Sequence, residues 1–165
     1  MAMWSPEEAG AAAIYLRLDD KKLLEMRSAA FDAKHSVWIP SKEDGYVKAT
    51  LQDEKAEKAD HKKVEVNGKI KEVKDAQIDL QNPPKYELLE DMANMTHLSE
   101  AAVVYNLGER YKLFLIYTYS GLFCVTVNPY KLLPVYADYV VPCYRGKRKP
   151  EMPPHLWSVA DNGYK

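Results

Sequence analysis

The stretch Leu113-Phe114-Leu115-Ile116-Tyr117-Thr118-Tyr119-Ser120-Gly121-Leu122-Phe123-Cys124-Val125-Thr126-Val127 decides the fold. It reads as two almost wholly apolar strands, Leu113 to Tyr119 and Leu122 to Val127, joined by Ser120-Gly121. A strand with one wet face alternates apolar and polar residues, and these two do not, so both faces call for cover. A chain of 165 residues holds too few helices to cover both faces of that hairpin. The second half therefore reads as a piece of a larger sheet.

Working outward, Ser99 is placed to cap a helix in front of the hairpin, with Glu100 in its first turn where the helix dipole favours negative charge. Val103, Leu107 and Tyr111 recur at four-residue steps and predict its apolar face. Gly108 interrupts that helix at a cost of roughly 1 kcal/mol relative to alanine. Downstream, Pro142 falls in the first turn of a short helix if Asp138 is its cap. Pro153-Pro154 precede a final helix in which Leu156, Val159, Ala160 and Tyr164 share a face, with Gly163 another unusual helix interior. The chain stops at Lys165 inside that helix and without a cap, which predicts a truncated domain.

Upstream, Asn82-Pro83-Pro84 is the natural seam, because two prolines cannot continue a strand ladder and favour an extended linker. Before it lie short strands. Val37-Trp38-Ile39 ends at Pro40, Asp44-Gly45 is a turn, and Tyr46 to Leu51 follows. From Leu51 to Lys63 the acids Asp53, Glu54, Glu57 and Asp60 interleave with Lys55, Lys58, Lys62 and Lys63, a pattern open to either a solvated loop or an exposed helix. Val64-Glu65-Val66-Asn67-Gly68-Lys69-Ile70 is the clearest hairpin, since Asn-Gly supplies the two positive φ angles of a type I′ turn. Several short strands in one segment predict a small SH3-like barrel. At the N-terminus, Ser5-Pro6-Glu7-Glu8 has the form of a capping box with proline at the first helical position. Asp19 and Asp20 open a second short helix with Leu23, Leu24 and Met26 as its apolar residues.

Composition narrows the function classes. Hydrophobic residues make up 47% and charged residues 28%, a globular profile. The 23 Lys+Arg against 24 Asp+Glu leave a net charge of -1, so no global field recruits nucleic acid or an anionic membrane. Cys124 and Cys143 form no C-x-x-C pair, which argues for a reduced, cytoplasmic setting and against a disulfide framework or zinc site. The N-terminus lacks a signal-peptide pattern, and no apolar run approaches the ~18 residues that span a bilayer. His35, His61, His97 and His155 are scattered without metal-ligand spacing. Arg145-Gly146-Lys147-Arg148-Lys149 reads as a solvated basic loop in preference to a nucleic-acid patch. Tyr105, Tyr111, Tyr117 and Tyr119 read as core and sheet packing. No G-x-x-x-x-G-K-[ST] phosphate loop occurs, and Gly146-Lys147 is followed by Arg148.

Three stretches carry a family resemblance. Asp91-Met92-Ala93-Asn94-Met95-Thr96-His97-Leu98-Ser99-Glu100-Ala101 resembles the segment that opens the myosin motor domain. Ile116 through Lys131, ending Val127-Asn128-Pro129-Tyr130-Lys131, is similar to the class II, muscle-type form residue by residue. Tyr144-Arg145-Gly146-Lys147-Arg148 and Pro153-Pro154-His155 follow at the family's spacing. Phe31-Asp32-Ala33-Lys34 and Trp38 resemble the SH3-like domain that precedes that motor. The likeness covers roughly residues 30 to 165 and is looser before them.

The resemblance implies an α+β chain in three parts: a helical extension at 1–30, an SH3-like barrel at 31–82, and the beginning of a P-loop NTPase-type motor domain at 83–165. The hairpin would supply the first two strands of the motor's transducer sheet. Asn128, Pro129, Tyr130, Lys131 and Tyr136 would border the adenine end of the ATP site. An asparagine amide offers the donor and acceptor that an adenine edge requires, and tyrosine adds an apolar ring with a hydroxyl tip. Leu132 departs from the tryptophan of many striated-muscle forms. The complete motor would use ATP and Mg2+, bind actin filaments and myosin light chains, dimerise through a downstream coiled coil and sit in the sarcomere thick filament. The chain alone lacks the phosphate loop and is expected not to hydrolyse ATP, nor to bind it tightly. A rival reading is a short, non-catalytic SH3-like interaction module, for which Trp38 and Tyr46 are the obvious aromatic candidates. Fold alone does not decide between them.

Overall fold

The computed structural model describes residues 4–164. They form two compact units.

The first unit combines the N-terminal segment up to Glu25, Leu88–Asn94, and the chain from Asn106 onward. Its first helices are the short turns α1 (Pro6–Ala9) and α2 (Ala13–Leu16), separated by a 3₁₀ turn at Gly10–Ala12. Pro6 occupies the first turn, where its missing N–H costs nothing. The expected capping box does not form: Ser5 makes no side-chain cap bond. Gly10, at φ 50°, breaks the α-helical run there instead. Helix α3 (Asp20–Arg27) opens where Asp19 and Asp20 predict, with Asp19 Oδ1 accepting the Lys21 N–H at 2.8 Å. None of its apolar residues is buried.

The second unit, Met26–Glu87 with Met95–Tyr105, holds the predicted barrel-like sheet. Strands β1 (Ser36–Ser41), β2 (Gly45–Lys55), β3 (His61–Val66), β4 (Lys69–Lys74) and β5 (Asp79–Leu80) are ordered β4-β3-β2-β1-β5 and pair antiparallel throughout. The Asn67-Gly68 turn has φ of 51° and 75°, as a type I′ hairpin demands. Its core is Val37, Ile39, Ala49, Val64 and Val66, with about 1.5–3 kcal/mol gained for each large aliphatic chain fully buried.

Within this sheet the structure corrects two expectations. The strand runs through Pro40, which pairs with Tyr46 and is exposed beyond Trp38, where β5 no longer pairs with β1 and a missing N–H is tolerated. The charged stretch after Leu51 is neither loop nor helix at first; β2 continues to Lys55 across a register shift between Leu51 and Lys55. A bulge of that kind bends a strand, which is what a small curled sheet needs. Beyond β5, Pro83 is extended and Pro84–Tyr86 closes into a single 3₁₀ turn. The seam is tied rather than loose: the Asn82 amide donates to His97 O at 2.7 Å and accepts the His97 N–H at 2.8 Å.

Helix α4 (Glu100–Lys112) begins as expected, with Ser99 Oγ accepting the Ala102 N–H at 3.2 Å. It ends in a Schellman motif, Leu115 N–H to Arg110 O at 3.0 Å and Phe114 N–H to Tyr111 O at 2.8 Å. Phe114 sits at φ 56° in the position glycine usually takes. That turn consumes Leu113 and Phe114, so the hairpin is shorter than predicted: β6 (Tyr117–Ser120) and β7 (Phe123–Thr126), turning at Gly121-Leu122. Helix α5 (Val141–Tyr144) is capped by Val140 and not by Asp138, with Pro142 in its first turn. In helix α6 (Leu156–Tyr164) the expected core face is turned outward: Leu156, Val159 and Tyr164 are exposed while Ser158 is buried.

Candidate functional site

The hairpin positions everything around it, and a buried polar stripe of α4 positions the hairpin. Val103, Leu107 and Tyr111 are only half-buried. The fully buried stripe lies one residue earlier, at Ala102, Asn106 and Arg110. Asn106 pairs its side-chain amide with both backbone groups of Leu89, at 2.9 and 3.1 Å. Arg110, 2% exposed, donates to Thr118 Oγ1 at 2.8 Å, Leu88 O at 3.0 Å and Tyr117 O at 2.8 Å. Burial pulls its guanidinium pKa down to about 10. These polar groups read as surface in the sequence, yet they satisfy backbone that no strand or helix satisfies.

The turn of the hairpin is held from two sides. Asp91 Oδ1 accepts the Gly121 N–H at 2.9 Å, and Lys149 donates to the Gly121 carbonyl. Lys149 also stands 4.0 Å over the Tyr119 ring and 3.7 Å from Asp91 Oδ2. So one member of the predicted solvated basic loop is a half-buried clamp. Tyr119 N–H donates to Glu90 O at 2.7 Å, and Arg17 grips the Glu90 carboxylate through Nε and Nη2, both at 2.6 Å.

Strand β7 then leads into the predicted adenine edge. The Val127 N–H donates to Ile116 O at 3.0 Å, carrying the ladder to the residue before Asn128. Asn128 is exposed and folds an Asx turn, its Oδ1 accepting the Tyr130 N–H at 2.9 Å. Tyr130, at φ 49°, is 90% exposed. Lys131 places its ammonium 4.6 Å from the centroid of the Phe114 ring. From there burial alternates: Leu133 and Val135 enter the core, while Leu132 (99% exposed) and Tyr136 face outward.

Tyr136 ends the 3₁₀ turn Pro134–Tyr136, and its hydroxyl lies 2.5 Å from that of Tyr117. The two rings meet edge to face at 6.5 Å. His155, fully buried, packs against both, at 4.6 Å from Tyr117 and 5.8 Å from Tyr136. The Trp157 N–H donates to His155 Nδ1 at 3.0 Å, so the neutral ring carries its proton on Nε2. Desolvation lowers the His155 pKa to about 4.

Of the predicted site residues, Asn128 through Lys131 thus share one turn, and Tyr136 belongs to an aromatic cluster with Tyr117 and His155. No hydrogen bond or ring contact joins the two groups among the described residues. The tyrosine read as simple packing, Tyr117, is the partner that sequence reasoning missed. No pattern of spacing marks it, because its hydroxyl meets Tyr136 only through the fold. Among the described residues no cluster of His, Cys, Asp and Glu could hold a metal ion, and no helix is long and apolar enough to cross a membrane. Cys124 and Cys143 are free thiols whose pKa burial raises.

Two known protein families match the chain. Residues 89–165 match the myosin head (motor domain) family. Residues 23–82 match the myosin N-terminal SH3-like domain. The chain therefore carries an N-terminal SH3-like domain and the start of a motor domain, both of the myosin family.

Proposed function

We propose that this chain is the N-terminal part of a muscle-type, class II myosin heavy chain whose complete form is an actin-based, ATP-driven motor. The piece contributes the SH3-like domain, the first transducer strands and the adenine-side edge of the ATP site. The observation that carries the reading is the asymmetry of the hairpin. Tyr117, Thr118 and Tyr119 of β6 are buried, whereas Leu122 and Phe123 at the start of β7 are 98% and 76% exposed. Among the described residues no strand pairs with the far edge of β7. An apolar strand with one open edge suits the margin of a larger sheet.

Asn128, Pro129, Tyr130, Lys131 and Tyr136 suit the adenine role by chemistry. The Asx turn uses one lone pair of Asn128 Oδ1 and leaves its Nδ2 hydrogens without a protein partner among the described residues. Tyr130 and Tyr136 offer open ring faces. ATP phosphates and Mg2+ would be held by parts of the heavy chain outside this sequence, since it contains no phosphate loop. Actin, light chains, coiled-coil dimerisation and a sarcomeric, cytoplasmic location belong to the same proposal. An immunoblot of source muscle with antibody to residues 1–30 tests it. A band far above 18.9 kDa supports the heavy chain; one at 18.9 kDa overturns it. The 165-residue chain by itself is expected to show no ATP turnover above a buffer blank.

The interaction-module reading has less support. Trp38 is 5% exposed and packs tilted against Tyr105 at 4.9 Å, so it is no open groove aromatic. Titration with proline-rich peptides should leave the tryptophan fluorescence unchanged.

A further inference from the structure

We propose that Tyr117 is a positioning residue for nucleotide binding: through its hydroxyl it holds Tyr136 in the orientation that faces the adenine. The inference rests on the reading of Tyr136 as part of the adenine edge. Tyr136 is 51% exposed and ends a single 3₁₀ turn, which leaves its ring free to swing about χ1 unless something outside the turn restrains it. Two restraints exist. The Tyr117 hydroxyl lies 2.5 Å from the Tyr136 hydroxyl and fixes the tip of the ring. The buried His155 ring, tilted against Tyr117 and edge-on to Tyr136, fills the space behind both.

The direction of the hydrogen bond follows from burial. Tyr117 is 5% exposed and its hydroxyl has no other protein partner among the described residues, so a proton left without an acceptor there carries a desolvation penalty. Tyr136 can give its own proton to water or a ligand. Tyr117 therefore donates and Tyr136 accepts. Tyr117 is also the first residue of β6, and its carbonyl is held by Arg110. The orientation of an exposed edge residue is thereby tied to the best-anchored strand of the hairpin.

The test places 3-fluorotyrosine at position 136 of the 165-residue chain and follows its fluorine resonance while ATP is added in large excess, enough to fill a weak site. The unsubstituted chain should show a single resonance that moves with ATP. Tyr117→Phe keeps the ring and removes only the hydroxyl; it should shift or broaden the resonance and weaken ATP binding about three- to tenfold. Tyr15→Phe, which removes a tyrosine hydroxyl elsewhere in the unit, should change neither. Backbone amide spectra verify that each variant is folded. If Tyr117→Phe leaves the ATP titration unchanged while Tyr136→Ala, followed through the backbone amide resonances, abolishes it, the adenine reading stands and the positioning role falls. A resonance unmoved by ATP in the unsubstituted chain overturns the adenine reading and the positioning role together.

Discussion

Arg110 Nε donates to Thr118 Oγ1 across 2.8 Å, joining the last turns of α4 to the middle of β6 among buried residues. The same guanidinium serves Leu88 O and Tyr117 O, so one side chain satisfies three acceptors on two segments. Arg110→Met keeps the length of the side chain and strands all three. Each buried acceptor left unmade costs about 1–3 kcal/mol, offset in part by no longer desolvating a cation. Thermal or urea unfolding should show a loss of about 3 kcal/mol. A loss under about 1 kcal/mol would mean the arginine is only space-filling.

That stripe marks the limit of what periodicity reveals. Counting apolar residues selects Val103, Leu107 and Tyr111, but burial falls on Ala102, Asn106 and Arg110, because the irregular segment at Leu88–Leu89 brings unsatisfied backbone to the Asn106 and Arg110 side. The same rule puts Leu156 and Val159 of α6 in the core, and they are exposed. Local chemistry is legible where one residue decides one torsion or one bond, as at Asn67-Gly68 and Ser99. Ser5 has the right neighbours for a capping box, yet it makes no side-chain cap bond. In the candidate site the Asn128 turn is readable from its residues. The Tyr117–Tyr136 pair is not, because two chain-distant hydroxyls meet only after the core has formed.

His155 gives the first unit a sensitivity to acid with a definite sign. Its folded pKa is about 4 against an ordinary 6.5, because burial disfavours the imidazolium. Between those values the unfolded chain takes up a proton that the folded chain refuses. Stability is full above pH 6.5 and falls as pH drops toward 4, by up to about 3 kcal/mol. His155→Phe should flatten that limb of the unfolding curve, while acidic groups such as Asp32 and Asp60, whose pKa values are lowered, act further down. His35, raised by Asp32 and Asp53, works in the opposite sense: its contribution is present below 6.5 and fades as pH rises. An unchanged acid limb in His155→Phe would assign the sensitivity to other groups.

Two glycines should respond to alanine with opposite signs. Gly68, at φ 75°, has open space where an alanine methyl would stand, so the cost of Gly68→Ala is backbone strain alone, about 1 kcal/mol. Gly108 lies inside α4 with ordinary helical geometry and nothing within 4 Å of an added Cβ. Gly108→Ala should therefore stabilise by up to about 1 kcal/mol through helix propensity. Unfolding midpoints of the two variants decide it; matching signs would show that crowding rather than backbone preference governs one of them.

The open side of the hairpin has a consequence for behaviour in solution. Leu122 and Phe123 sit at the head of β7, largely exposed, beside an unpaired strand edge. Unpaired N–H and C=O groups next to apolar side chains form a template for a second chain. Leu122→Lys with Phe123→Thr should cost within about 0.5 kcal/mol of stability, since little of either side chain is buried. It should nevertheless shift the chain toward monomer in size-exclusion runs at rising concentration. Lysine suits the turn because its charge repels a docking copy, and threonine keeps the strand propensity at the Ser120 pairing position. If the unsubstituted chain already runs as a compact monomer at every concentration, the open edge is not a sticky one, and the hairpin argument for a larger sheet loses its main physical support.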